Sequence, residues 1–382
     1  MTDHPITIIG SGLAGYTLAR EYRKIDKTTP LRLITADDGR YYSKPQLTSA
    51  FTHKKNADQI AMMTAAQAEK QFNLEIIPMT RITAIQADTH TVHSESKIFN
   101  YSKLVLALGA KTLVLPSLAH DHKNVISINS LTEYGHFRDL LVDKKRIAII
   151  GAGLVGCELT NDLFQGGYHI DLIAKSSSPL ELLLPEPAGR AVQQAFTNHG
   201  ITCHFDAEVT AIDNSQTPLQ LMLSNGKTIA TDLVLSAVGL RPDIALAKQA
   251  GLETRLGIQV DRFFKTSAPD IFALGDCAEV EGLVLLYVAP LVLGARALAQ
   301  TLTGTATQVQ YPAMPVIIKT AICPVIVCPP PPSMKGQWQF EGEGIDIKAL
   351  FYDDNQQLRA YALVGKYIHD RPALTDQLPG WL

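Results

Sequence analysis

Gly10-Ser11-Gly12-Leu13-Ala14-Gly15 follows the apolar run Ile6-Thr7-Ile8-Ile9, and Gly151-Ala152-Gly153-Leu154-Val155-Gly156 follows Arg146-Ile147-Ala148-Ile149-Ile150. In each copy the first glycine permits a tight turn from strand into helix, the second lets backbone approach a pyrophosphate, and the third lets helix pack on strand. The helix that opens there points its positive dipole end at the phosphates. One such fingerprint is weak support for a ligand. Two of them, each set between a strand-like run and a helix-like stretch reaching about Ile25 and Phe164, predict that one polypeptide binds two dinucleotides.

Outward from the first fingerprint, Leu31 to Thr35 reads as a second strand, and Asp37 follows it in Ala36-Asp37-Asp38-Gly39. An acid at that distance holds the hydroxyls of an adenosine ribose, and Asp37 is the choice over Asp38, against the alternative of an ordinary Asp-Gly turn. Leu104 to Ala110 reads as a buried strand stopping at a glycine, and Leu233 to Gly239 repeats it after the second fingerprint. In Thr266 to Asp276 a further strand ends on Asp276, a carboxylate suited to hydrogen bonds from a ribityl chain. From about Val309 the character changes: Pro312, Pro315, Pro324 and Pro329 to Pro332 interrupt short β-rich runs, which predicts a small third domain. The expected fold class is α/β, with two Rossmann-like dinucleotide-binding domains and a small C-terminal α+β domain.

The chain has 382 residues, enough for two or three domains, with 46% hydrophobic and 19% charged residues. Its 34 basic and 37 acidic side chains give a formal net charge of -3, which argues against nucleic-acid or membrane binding through bulk charge. The longest apolar run, Leu283 to Ala295, contains Pro290 and Gly294 and is too short to span a bilayer. The polar start Met-Thr-Asp-His is unlike a signal peptide, so a cytoplasmic location is expected. Cys157, Cys203, Cys277, Cys323 and Cys328 are scattered, odd in number and form no Cys-x-x-Cys pair, so a disulfide framework is not expected, and no metal site is read. Cys323 and Cys328 flank a strand-like Pro-Val-Ile-Val and read as buried thiols.

The ordered set Gly10 to Gly15, Ala107-Leu108-Gly109, Gly151 to Glu158, Ala237 to Pro242 and Thr266 to Asp276 resembles the glutathione-reductase-like pyridine nucleotide oxidoreductases. That resemblance implies a discontinuous FAD-binding domain over 1–111 and 240–308, an NADH-binding domain over 112–239 and a C-terminal domain over 309–382. Within the superfamily, Tyr42-Ser43-Lys44-Pro45, Gly156-Cys157-Glu158, Leu285 to Val288, Val316 to Thr320 and Cys323-Pro324 are most similar to rubredoxin reductases. FAD and NADH are then the cofactors, and rubredoxin, a small acidic iron–sulfur carrier, is the partner. The resemblance also implies a cofactor wall that includes Ser11, Leu13, Ala14, Pro45, Ile82, Ala107, Gly109, Leu154, Val155, Gly239 and Val288.

Disulfide reductases of this superfamily keep a cysteine pair beside the flavin, yet Arg40 to Ala50 contains no cysteine and offers Ser43 or Lys44 instead. A thiol relay is excluded, and the flavin itself hands electrons onward. A hydride delivers two electrons and an iron–sulfur partner accepts one, so a flavin is the required converter. The resemblance places Lys44 and Glu158 as an ion pair at the reactive edge of the flavin. Lys319 is a charge inside an apolar run and needs a partner; anionic reduced flavin is the expected one, unless the side chain simply points into water from an edge strand. The helix starting near Tyr287-Val288 supplies N–H groups at the same end of the ring.

The second strand of the second half, Ile170 to Ala174, is followed by Lys175-Ser176-Ser177-Ser178, with no acid and one lysine. That leans toward a 2′-phosphate by residue logic alone, whereas NADH is kept because no arginine supports Lys175. The competing readings are a ferredoxin reductase of an oxygenase system, an NADH oxidase and a non-catalytic NADH-binding scaffold. Alkane degradation and oxygen detoxification both suit a rubredoxin route, and a monomer is expected.

Overall fold

Short apolar β-runs, buried in the central strands, give this chain its parallel sheets, because strands covered on both faces read as continuous apolar sequence; in the second sheet helices cover one face and an antiparallel meander the other. The computed structural model describes residues 4–115, 123–331 and 334–382; Met1 to Asp3 at the polar start and Pro332 of the proline cluster lie outside them. The first five-stranded sheet runs in the order Ile271–Ala273, Lys103–Leu106, Ile6–Ile9, Leu31–Ile34, Glu75–Ile77, and its strands are parallel. The second repeats it as Val125–Ile126, Leu233–Ser236, Arg146–Ile150, His169–Ile173, Thr202–His204, again parallel. Each half also carries a three-stranded antiparallel meander, Ile82–Gln86 through Ile98–Asn100 in the first and Val209–Asp213 through Thr228–Thr231 in the second.

The strand at Ile271–Ala273 joins the first sheet although the whole second sheet intervenes in sequence. A two-stranded antiparallel link, Ala110–Thr112 with Leu240–Pro242, marks the crossing out and back. This corrects the expected strand from Leu104 to Ala110. Pairing with the sheet stops at Leu106, Gly109 turns the chain at φ +72°, and Ala110 starts the separate link. Likewise the strand expected to reach Gly239 stops at Ser236. Both breaks leave Ala107 to Gly109 and Ala237 to Gly239 at the carboxyl ends of the parallel strands, where open α/β sheets bind ligands.

The C-terminal region is a five-stranded antiparallel sheet in the order Val316–Ile318, Val325–Cys328, Leu358–Val364, Asp346–Asp353, Gly336–Glu343. Its inner residues Ile318, Cys323, Val325, Val327 and Ala362 share one hydrophobic core with Leu159, Leu163 and Phe196 of the second half. That shared core fixes the edge strand Val316–Ile318 against the helix Leu154–Gln165.

Candidate functional site

At the first fingerprint, Gly10 sits at φ +117°, and a Cβ there would lie 2.2 Å from the Ala107 carbonyl oxygen; at Gly15 it would lie 2.0 Å from the Gly10 carbonyl oxygen. The second fingerprint repeats this, with Gly151 at φ +105° against Ala237 and Gly156 against the Gly151 carbonyl at 1.8 Å. Gly12 and Gly153 differ: a Cβ at either would meet nothing within 4 Å. They are the N-cap residues of the helices Leu13–Ile25 and Leu154–Gln165, which have no side-chain cap and no acid in the first turn. Open space before uncapped helix N–H groups is a cradle for a pyrophosphate, so the residues fit a dinucleotide at each fingerprint.

A cleft of about 1280 Å³ runs between the two halves. It exceeds the roughly 300–1,000 Å³ of a single small-ligand pocket, as expected where two cofactors meet. Gly10, Ser11, Gly12, Leu13, Ala14, Asp37, Lys44, Pro45, Ile82, Ala107, Gly109 and Asp276 line one side, and Leu154, Val155, Glu158, Gly239, Val288 and Lys319 complete it. Gly15, Gly151, Gly153 and Gly156 lie outside its wall: Gly15, Gly151 and Gly156 carry the turn packing, and Gly153 caps its helix beyond the cleft. Asp37 faces the cleft while Asp38 is held by Arg40 at 2.7 Å, which separates the two neighbouring acids. Ser43 occupies the N-cap position of the short helix Lys44–Thr48 without a side-chain cap and is not in the wall. Tyr287 occupies the N-cap position of the helix Val288–Leu302 without a side-chain cap, and the first turn of that helix lines the cleft.

The expected Lys44–Glu158 ion pair is not formed. Glu158 is 3% exposed, and its carboxylate accepts from the Lys319 ammonium at 2.9 Å, the Lys319 backbone N–H at 3.0 Å and the Thr48 hydroxyl at 2.5 Å. Lys319 also donates to Thr48 Oγ1 at 2.5 Å and to the Pro45 carbonyl. The reason is placement: Lys319 follows the edge strand Val316–Ile318, which the shared core presses onto the helix bearing Glu158. Lys44 forms no ion pair among the described residues. Burial pulls its ammonium pKa down, opposed by Asp276, Glu133 and Asp37, and burial pushes the Asp276 carboxyl up, opposed by Lys44.

Sequence reasoning missed the neighbours of Glu158. Asn161 and Asp162, three and four positions on, share its helix face and are equally buried. Asn161 Oδ1 accepts the Ile322 N–H at 3.1 Å, and Asp162 accepts those of Phe51 and Thr52 at 3.0 and 2.8 Å. The helix thus bolts two distant segments to itself, which satisfies polar groups whose burial is otherwise costly. Thr48 and Arg81 were also missed; a buried polar run, Glu158 to Asp162, was the only available signal.

Cys157, Cys277, Cys323 and Cys328 are buried, as expected for the last two, and Cys203 is partly buried; burial raises each thiol. Cys203 and Cys328 are pushed up to about 11, Cys277 and Cys323 to about 12. At pH 8 a thiol of that kind is thiolate in about one molecule per thousand or fewer. Native protein is therefore expected to leave Ellman's reagent uncoloured at pH 8 and to release five equivalents of thiol once unfolded in guanidinium. Rapid labelling of the native protein would contradict this.

Residues 4–301 match the pyridine nucleotide-disulphide oxidoreductase family, and residues 308–378 match the rubredoxin binding C-terminal domain. A rubredoxin-NAD(+) reductase of Alcanivorax borkumensis is 45% identical over 379 residues, 98% of this chain and 99% of that one. A nitric oxide reductase FlRd-NAD(+) reductase of an Enterobacter species is 35% identical, covering 99% and 100%. Among solved structures, the covalent putidaredoxin reductase–putidaredoxin complex superposes with a TM-score of 0.88 at 22% identity over 98% of this chain and 94% of that one, a likeness of fold.

Proposed function

Because the chain belongs to the pyridine nucleotide-disulphide oxidoreductase family and continues into a rubredoxin-binding domain, we propose that it works as an NADH-dependent rubredoxin reductase. Electrons pass from NADH through FAD to rubredoxin. The observation that carries the reading is the cleft: wall residues from both fingerprint halves meet in it, and no cysteine lines it among the described residues. FAD, when bound, takes a hydride and releases its electrons singly.

The chain's own residues divide the remaining work. Gly10 to Gly15 and the helix they open hold the FAD pyrophosphate, Asp37 the adenosine ribose, and Asp276 the ribityl chain. In the first turn of Val288–Leu302, the N–H groups of Val288 and Ala289 would serve the ring, while Pro290 has none to offer. Glu158 fixes Thr48 and Lys319, and through them the Lys44-Pro45 turn that borders the ring. Leu154, Val155 and Gly239 seat the nicotinamide. The assignment of 1–111 with 240–308 to FAD, 112–239 to NADH and 309–382 to the partner follows this division. Val288 and Ile317, 42% and 55% exposed at the cleft rim, offer an apolar landing for rubredoxin.

No helix among the described residues is long and apolar enough to cross a membrane. We take the cytoplasm as the site of action, which unpaired cysteines support. An acidic carrier that must leave quickly docks through a weak, charge-steered encounter. Turnover with rubredoxin is expected to fall roughly tenfold as salt rises from 10 to 500 mM, since the Debye length shortens and screens the attraction. Steady-state kinetics with NADH and rubredoxin test the reading; a rate that ignores salt contradicts charge-steered docking, and NADPH preferred over NADH contradicts the donor.

A further inference from the structure

The two halves repeat each other bond by bond beyond the fingerprints. In the first, Gly10 N donates to Ile34 O, Thr35 N to Ile77 O, Met79 N to Asp37 O and Thr80 N to Thr35 O. In the second, Gly151 N donates to Ile173 O, Ala174 N to His204 O, Asp206 N to Ser176 O and Ala207 N to Ala174 O. Met79 and Asp206 share a left-handed backbone, at φ +49° and +51°. This register makes Asp37 equivalent to Ser176, and Arg81 equivalent to Glu208.

The charges are exchanged across this repeat. The first half carries its acid, Asp37, on the loop after the second strand and its base, Arg81, on the facing loop, and both line the cleft. The second half carries Lys175 on the loop after the second strand, and Glu208 on the facing loop meets it at 2.7 Å. The Glu208 backbone is pinned by Ser224, whose Oγ accepts its N–H and whose N–H donates to its carbonyl. Glu181, just beyond this loop, spends its carboxylate on the Ser177 N–H at 3.2 Å and hydroxyl at 3.0 Å, so the acid that meets Lys175 is supplied from another part of the chain.

We propose that Glu208 is the residue that makes this site select NADH over NADPH. It cancels the attraction of Lys175 for a 2′-phosphate and sets a carboxylate where that dianion would come, while a ribose 2′-hydroxyl suffers no repulsion. The inference rests on the reading of the second fingerprint as the NADH site.

Both side chains are exposed, 84% for Lys175 and 52% for Glu208, so substitutions there leave the fold intact. In the FAD-loaded protein, E208Q is expected to raise the ratio of kcat/KM for NADPH to that for NADH about tenfold, and K175Q/E208Q to return it toward wild type. Calorimetric titration gives a readout free of turnover: E208Q gains affinity for 2′,5′-ADP about tenfold and is unchanged for 5′-AMP. Wild type preferring NADH with E208Q unaltered in both measurements overturns the role of Glu208 alone. Wild type preferring NADPH overturns the NADH reading beneath it.

Discussion

Gly12→Asp is expected to give a folded but colourless protein. Gly12 has an ordinary extended backbone, φ −69° and ψ −177°, and open space where a side chain would go. Asp is among the best N-caps, and a carboxylate at a helix N-terminus gains from the dipole, so the apoprotein becomes about 1 kcal/mol more stable. The same carboxylate occupies the pyrophosphate cradle and repels it, which lowers FAD affinity about a thousandfold or more. Stability and cofactor binding thus move in opposite directions. Gly153→Asp is the internal control: it stays yellow and loses reduction by NADH. Absorbance at 450 nm and urea midpoints check both. A yellow Gly12→Asp protein would contradict the first fingerprint's role, and a colourless Gly153→Asp protein the second's. Gly15→Val, in contrast, drives a Cβ into the Gly10 carbonyl and is expected not to fold.

Glu158→Ala is expected to be strongly destabilising. It leaves the Lys319 N–H without its acceptor and takes the charged acceptor from the Lys319 ammonium and the Thr48 hydroxyl, which keep only the Pro45 carbonyl and each other. Breaking a buried ion pair costs about 3–5 kcal/mol; with the Lys319 side chain 33% exposed, solvent reduces this to about 2–3 kcal/mol. Because Thr48 and the Lys44-Pro45 turn then lose their anchor, flavin reduction by NADH is expected to slow about tenfold or more. Lys319→Met alone leaves a buried carboxylate that still holds two donors, and the double variant Glu158→Ala/Lys319→Met is expected to be less destabilised than the sum of the two, by about 1 kcal/mol. Strict additivity in denaturant unfolding would show that the pair does not couple.

What could be read from sequence was local. Strand, turn and helix at each fingerprint lie within about twenty residues, and the glycine positions follow from backbone sterics alone, so Ile6–Ile9, Leu13–Ile25 and Arg146–Ile150 appear where expected. Lys319 was legible as a charge that needed a partner. Its partner was not, because Glu158 is 161 positions away and reaches it only through the packing of the C-terminal sheet on the second half. Resemblance suggested Lys44 for that role, and tertiary contact decided for Lys319. Glu208 was invisible for the same reason: the acid that faces Lys175 comes from a loop beyond the next helix, Glu186–Asn198. The strand boundaries at Leu106 and Ser236 were misplaced because apolar residues that line a cleft look like apolar residues inside a sheet.

The most direct test is rapid mixing under anaerobic conditions, following the flavin at 450 nm. NADH is predicted to bleach the bound FAD, and oxidised rubredoxin to restore it promptly with two carriers reduced per NADH, since each accepts one electron. Restoration by a ferredoxin but not by rubredoxin, or no bleaching by NADH at all, would contradict the account.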